Sequence, residues 1–198
     1  KVATAKALIE VIQAHTSDNI VVFSTRNDTL TELSKVVPGP LYIGSKTGDQ
    51  RQDILNEFAS SGGVLYVATK AGGLGINITS ANRVIVMDCS WNPADDQQAI
   101  SRCYRMGQAK PVVVYRLVAA DTLEERIYRL GVQKHKVAAR ILNEQDVKRM
   151  YTKDELDKVD CSETQTSLTV ADNIDDSLKL FMTKMQGVFE AYNHDDLF

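Results

Sequence analysis

Cysteine is scarce, and what there is does not form a scaffold. Cys89, Cys103 and Cys161 are the three thiols in 198 residues, an odd number at spacings that fit no zinc site. They are expected to be reduced thiols of an intracellular protein. Long apolar runs are lacking too. No stretch approaches the ~20 residues a membrane-spanning helix needs, and no secretory signal is visible, so no membrane partner is expected. His15, His135 and His194 are isolated, and no carboxylate pair, nucleophile triad or metal cluster stands out, so no metal is assigned. There is no internal repeat and no low-complexity tract. The phosphate loop G-x-x-x-x-G-K-[ST] is absent, as is an Asp-Glu pair after an apolar strand, the usual Mg²⁺ holder of ATPases. Lys1 stands where a complete protein would begin with Met, and the chain is expected to be a piece of a longer one.

What is present reads as one packed α/β domain with an appendage: 43% of the residues are apolar and 25% charged. The formal charge of −3 is unevenly spread. Residues 1–151 hold 19 Lys/Arg against 15 Asp/Glu, whereas residues 152–198 hold 4 against 11. A mildly basic body precedes an acidic tail. Such a body meets nucleic acid through a local patch or not at all.

In chain order, Val2, Ala5, Leu8, Ile9 and Ile12 recur at helical spacing and predict a helix to about His15. Strands are expected at 20–24, 41–43, 64–68, 83–88 and 112–118, with helices of about 10–13 residues between them. That alternation spells βαβ units and a parallel sheet with helices on both faces. Pro38-Gly39-Pro40 punctuates one connection, and Asp49 is a plausible N-cap for the helix that follows. Thr122-Leu123-Glu124-Glu125 reads as a capping box opening a helix to about Leu142. Its polar side is basic, carrying Arg126, Arg129, Lys134, Lys136 and Arg140. A second capping box at Thr152 starts a short helix, residues 160–173 form a linker, and Leu178, Phe181, Met182, Met185 and Phe189 line an amphipathic stripe. The expected divisions are 1–121, 122–159, 160–173 and 174–198.

The stretch from Gly62 to Gln108 organises the rest. Two apolar β-branched runs flank the loop Thr69-Lys70-Ala71-Gly72-Gly73-Leu74-Gly75, which leaves the carboxyl end of a strand. Ligands bind at that edge of an open α/β sheet. Glycines there let backbone N–H groups approach a phosphate, although a tight turn needing positive φ explains them equally well. Asn77 fits either a cap or a contact. Trp91-Asn92-Pro93 then opens a helix, on which Gln98, Arg102 and Arg105 fall at i, i+4 and i+7 and so share a face. Two guanidinium forks on one stripe suit polyphosphate oxygens. The blander readings are a solvated arginine face and, for Trp91, a core aromatic.

Ala71-Gly72-Gly73-Leu74-Gly75-Ile76-Asn77, then Trp91-Asn92-Pro93, then Gln98-Ala99-x-x-Arg102-x-x-Arg105-x-Gly107-Gln108 resembles the late motifs of the Swi/Snf-type chromatin-remodelling ATPases of helicase superfamily two. Tyr104, where most members have His, is one of several features similar to the ATRX-like branch, together with Lys110–Arg116 and Tyr151–Leu156. The resemblance implies a RecA-like helicase C-terminal lobe with a C-terminal helical extension, in which helix 122–142 braces two lobes. It implies half an ATPase site. ATP lies between this lobe and a first RecA-like lobe of the same protein, Mg²⁺ is held by the first lobe, and Arg102 and Arg105 act as catalytic arginine fingers. Gly73, Gly75, Asn77 and Gln98 are the implied nucleotide-binding residues. Thr25, Arg26, Thr69, Lys70, Trp91 and Asn92 are the implied contacts to double-stranded, nucleosomal DNA. A nuclear ATP-dependent DNA translocase follows, with residues 1–198 alone expected to hydrolyse no ATP. The alternatives are the lobe of a strand-separating DNA or RNA helicase and a non-catalytic interaction module whose partner chain docks on 174–198.

Overall fold

In the computed structural model, residues 1–72, 75–143 and 176 are described. The expected helix at 152–159, the linker at 160–173 and the stripe of 174–198 lie outside the described residues, Asp176 excepted. Gly73 lies outside them as well.

Helix α1 (Val2–His15) leads into β1 (Ile20–Ser24), α2 (Asn27–Val36), β2 (Leu41–Tyr42), α3 (Gly48–Ser61) and β3 (Val64–Ala68). A single helical turn, α4 (Thr69–Gly72), precedes β4 (Arg83–Val86), α5 (Pro93–Ile100), β5 (Val113–Arg116) and α6 (Leu123–Asn143). The five strands form one sheet in the order β2-β3-β1-β4-β5, parallel throughout. The expected parallel α/β class is what the chain adopts. Its strands begin within a residue of where the β-branched runs place them.

Burial explains why those runs do not alternate. Every residue of β1, β3 and β4 is buried, so both pleat faces meet helices and both must be apolar. Phe23, Tyr66, Phe58, Leu8, Ile12, Leu30 and Leu33 fill the core at under 2% exposure. Tyr66 donates its hydroxyl to the Val37 carbonyl at 2.7 Å within that core, which is how a buried phenol keeps its hydrogen bond. Burial pushes its ionisation far up. Gly39 is obligatory for a different reason: a Cβ there would collide with the Val64 carbonyl oxygen.

Two start signals shift. Helix α3 is capped by Thr47, not by Asp49: Thr47 Oγ1 accepts the Gln50 N–H at 3.4 Å while Gln50 Oε1 accepts the Thr47 N–H at 3.1 Å. A reciprocal box satisfies two orphan donors, where a lone Asp49 carboxylate serves the helix from within its first turn. At α6 the box is spread by one residue. Thr122 Oγ1 accepts from Glu124 N–H at 3.3 Å, and Glu125 reaches back to Asp121 N–H at 2.9 Å. Asp121 takes φ 55° there, and this leaves Glu124 to face the sheet.

The amino ends of the strands are tied by a polar cluster that sequence reasoning did not single out. Asn19 Nδ2 donates to Ser80 O at 2.9 Å and its Oδ1 accepts from Gly63 N–H at 3.1 Å, joining the entries to β1, β3 and β4. Arg83, 8% exposed, meets Asp18 at 2.7 Å and the Tyr115 hydroxyl at 2.7 Å. Lys110 joins the same carboxylate at 2.9 Å. Burial raises the Asp18 carboxyl, but the hydrogen bonds from Lys110, Arg83 and Asn82 outweigh it and hold the group at about 2. A carboxyl held below its unfolded value stabilises the fold above about pH 4 and loses that contribution as pH falls through about 2. Asp18→Asn is therefore expected to cost about 2 kcal/mol at neutral pH. Urea unfolding of both proteins should show the gap closing between about pH 4 and pH 2. A gap that stays constant over that range would assign the cost to packing alone.

Candidate functional site

The carboxyl ends of adjacent strands β3, β1 and β4 carry the loops that matter. Thr69 and Lys70 leave β3, Thr25 and Arg26 leave β1, and Trp91 and Asn92 follow β4. Six residues that are far apart in sequence thus arrive at one edge of one sheet. Lys70, Thr25, Arg26, Trp91 and Asn92 are exposed and Thr69 is half-buried. Trp91 is 67% exposed, which rules out the core-aromatic reading. Among the described residues neither Arg26 nor Lys70 forms an ion pair, so both charges face solvent uncommitted.

Asn92 has a structural duty at this edge. Its Oδ1 accepts the Ala94 N–H at 3.3 Å, making it the N-cap of α5, with Pro93 at the first helical position. Its Nδ2 donates to Asp95 at 3.0 Å. Asp96 accepts the Ser90 N–H at 3.2 Å and is raised by burial, a rise that Asp95 and Asp88 add to and the Ser90 hydrogen bond and Arg116 oppose. The turn Ser90–Asn92 is therefore closed by the first turn of its own helix.

The loop after β3 differs in detail from expectation. Thr69–Gly72 is helical, and among the described residues of the loop Gly75 takes a positive φ, at 77°. Gly75 and Asn77 are exposed. Arg51 has a local structural role. Its guanidinium donates to the Lys46 and Gly44 carbonyls at 2.9 and 3.2 Å and lies 5.8 Å over the Tyr42 ring, closing the turn after β2.

The arginine stripe is the largest correction. Helix α5 ends at Ile100, so Gln98, Arg102 and Arg105 are not three points on one helix face. Arg102 N–H and Cys103 N–H bond back three residues, to Ala99 and Ile100 at 3.2 and 2.9 Å. The physical reason is competition for carbonyls. Arg102 O accepts the Ile78 N–H at 3.0 Å, and Cys103 O accepts from Gln108 Nε2 at 3.3 Å. In an α-helix those two would serve the N–H groups of Met106 and Gly107; upstream, the Ser101 hydroxyl already takes the Gln98 carbonyl that the Arg102 N–H would need, at 2.8 Å.

Gln108 is what holds the arginine turn in place. Its Nε2 donates to Ala81 O at 2.7 Å and Thr79 O at 3.1 Å besides Cys103, and its Oε1 accepts the Lys110 N–H at 3.0 Å. Residues 102–108 are so docked against 78–81, the segment entering β4. They lie toward the amino end of the sheet, away from Thr25, Lys70 and Trp91. Arg105 is exposed and forms no ion pair among the described residues, while Arg102 is half-buried.

Helix α6 seals the exit of β4 from the far side. Glu124 accepts from the Ala119 and Cys89 N–H groups at 3.0 and 3.4 Å and pairs with Lys1. Gly131 lets Pro93 lie against α6, since a Cβ there would come within 3.3 Å of the proline ring. Burial pushes the Cys89 thiol up to about 12, helped by Glu124 and Asp96, and burial pushes Cys103 to about 12 as well. Both stay protonated and unreactive at neutral pH. Among the described residues no group of three or more His, Cys, Asp or Glu could hold a metal ion, and no helix is long and apolar enough to cross a membrane.

A parallel sheet with charged, open loops at its carboxyl edge and a separately anchored arginine turn defines a RecA-like lobe. Residues 3–107 match the helicase conserved C-terminal domain, and the chain belongs to that family, as the C-terminal lobe found in SNF2-type ATPases. It is 45% identical over 117 residues to human transcriptional regulator ATRX, an alignment covering 57% of this chain and 5% of that protein. It is 32% identical to the rice SNF2 domain-containing protein ENL1 over 91% of this chain and 20% of that one. The crystal structure of the C-terminal part of the Fun30 ATPase domain superposes with TM-score 0.61 at 34% identity, covering 65% of this chain and 44% of the other. The chain thus spans a small fraction of the length of these full-length relatives.

Proposed function

We propose that this lobe is the second half of an ATP-dependent motor that translocates on double-stranded DNA in chromatin, in the nucleus. ATP and Mg²⁺ occupy the cleft between it and a first lobe that supplies the phosphate loop and the acidic Mg²⁺ residues. Arg102 and Arg105 complete the site from this side, with Gly75, Asn77, Gln98 and the Gly73 backbone near the nucleotide. Bound there, ATP would supply the γ-phosphoryl group that is transferred to water. This chain's part is to present guanidinium donors where negative charge develops. Arg105 suits that part because it is exposed and pairs with no carboxylate among the described residues.

The observation that carries the reading is the separation of two cationic sets. Uncommitted Arg26 and Lys70 share one sheet edge with exposed Trp91, while the arginine turn is anchored at the other end of β4. A motor needs that division, because polymer grip and phosphoryl chemistry must be coupled without sharing a surface. Contacts to the backbone made by lysine, arginine and threonine position a duplex without reading its sequence.

The test is duplex-stimulated ATP turnover by the intact protein. Lys70→Ala and Trp91→Ala are each expected to raise the DNA concentration for half-maximal stimulation, equally for unrelated sequences, with Lys70→Ala lowering the salt slope by about one. Stimulation by single strands alone would favour a strand-separating helicase. Unchanged stimulation in the double variant would remove both residues from the DNA face.

A further inference from the structure

Asp88 puts a negative charge in the middle of the face just assigned to a polyanion, and the hydrogen bonds around it say why. Its Oδ2 takes three donors from the exit of β1: Ser24 Oγ at 2.5 Å, Thr25 N–H at 2.9 Å and Thr25 Oγ1 at 3.1 Å. The chain of bonds continues, because Ser24 Oγ accepts the Arg26 N–H at 3.0 Å. Ser24 is buried at 1% exposure, and Asp88 is the nearer of two acceptors for its hydroxyl, Arg26 O lying at 3.3 Å. Helix α2 lacks a side-chain cap at its start, where Arg26 occupies the N-cap position. On the β4 side, the Met87 N–H bonds to Phe23 O at 2.9 Å and Glu124 takes the Cys89 N–H at 3.4 Å.

We infer that Asp88 is a positioning residue which locks the Thr25–Arg26 loop to the exit of β4, so that the β1 loop and the Trp91–Asn92 turn grip DNA as one rigid surface. It touches no nucleic acid itself. Its charge is spent on three donors, two of which belong to Thr25, and charge-assisted bonds of this kind are about twice as strong as neutral ones. The inference rests on the proposed DNA face and adds to it the element that holds two of its loops in register.

Charge and geometry give opposite signs, which makes the inference testable. Removing one negative charge from a surface that meets phosphates favours binding by about two- to threefold through Coulomb attraction alone. Removing the anchor frees Thr25 and Arg26 and weakens binding. In the intact protein, duplex-stimulated ATP turnover and duplex affinity would be measured for Asp88→Asn and Asp88→Ala, with Lys70→Ala alongside. Both Asp88 variants remove the charge, but all three donors meet the one oxygen Oδ2, so Asp88→Asn keeps an acceptor for them and Asp88→Ala keeps none. Ser24→Ala, which removes the bond to Asp88 and the hydroxyl that the Arg26 N–H meets, reads out if Asp88→Ala fails to fold.

The expected result is a roughly tenfold higher half-saturating DNA concentration for Asp88→Ala, a rise of the same direction for Ser24→Ala, and no rise for Asp88→Asn, which loses the charge and keeps the anchor. Turnover at saturating DNA should change less than twofold, because the arginine turn is anchored elsewhere. A merely structural role would lower the melting temperature without moving half-saturation. Unchanged or tighter binding in Asp88→Ala and Ser24→Ala, with Lys70→Ala weakened, overturns the inference and leaves the DNA face standing. No effect in any of the three overturns both.

Discussion

Replacing Arg102 or Arg105 by lysine in the intact protein is expected to cut DNA-stimulated kcat by about 10³-fold or more while duplex affinity changes little. An arginine finger acts on charge that develops as the phosphoryl group transfers, so its loss falls on kcat rather than on ground-state binding. Lysine does not substitute, because a point charge cannot reproduce the two-oxygen contact of a planar guanidinium. The fold is expected to survive. Arg105 is exposed, and surface substitutions of this kind usually cost under about 0.5 kcal/mol. A folded, DNA-binding Arg105→Lys protein with normal turnover would return the arginine turn to an ordinary solvated surface.

Gln108→Ala is expected to reproduce much of that loss without touching either arginine. Its amide makes three donor contacts and one acceptor contact, all to backbone groups. At roughly 0.5–1.5 kcal/mol net per bond, the loss in stability is about 3 kcal/mol. The larger consequence is positional. Freed from Thr79 and Ala81, the turn 102–108 is held by the Ile78–Arg102 bond alone among these anchors. A shift of about 1 Å in a catalytic group costs on the order of 10²-fold. Turnover should therefore fall about 10²-fold below the melting transition, with duplex affinity intact. Gln108→Glu should fare no better, since a carboxylate cannot donate to carbonyls. Normal kcat in a folded Gln108→Ala protein would show that the arginine turn keeps its place by other means.

The two variants also separate chemistry from placement. The lysine variants keep the turn and lose the fork, whereas Gln108→Ala keeps the fork and loosens the turn. If both fall in kcat but only Gln108→Ala loses stability, the geometry described here accounts for the difference.

Much of this protein was legible before any coordinates. β-branched runs apolar on both faces, at Ile20–Ser24, Val64–Ala68 and Val84–Val86, could only be strands covered on both sides. Their alternation with helices fixed the parallel class, and the motif spacing from Ala71 to Gln108 pointed to the family in which residues 3–107 fall. Such signals survive in one dimension because they come from burial and chain geometry repeated over many residues.

What tertiary structure decided lies where one group answers to partners distant in sequence. Helical periodicity put Gln98, Arg102 and Arg105 on one stripe, but α5 stops at Ile100, and the Arg102 and Cys103 carbonyls turn to the Ile78 N–H and the Gln108 amide. Asp88 looked like the polar end of a strand until Ser24 and Thr25, over sixty residues away, were seen to donate to it. Trp91 could have been core or surface, and only the folded chain shows its ring turned to solvent. Local pattern determines which elements form. Which hydrogen bonds end an element, and which side chains face solvent, depends on the order β2-β3-β1-β4-β5, because that order decides who meets whom.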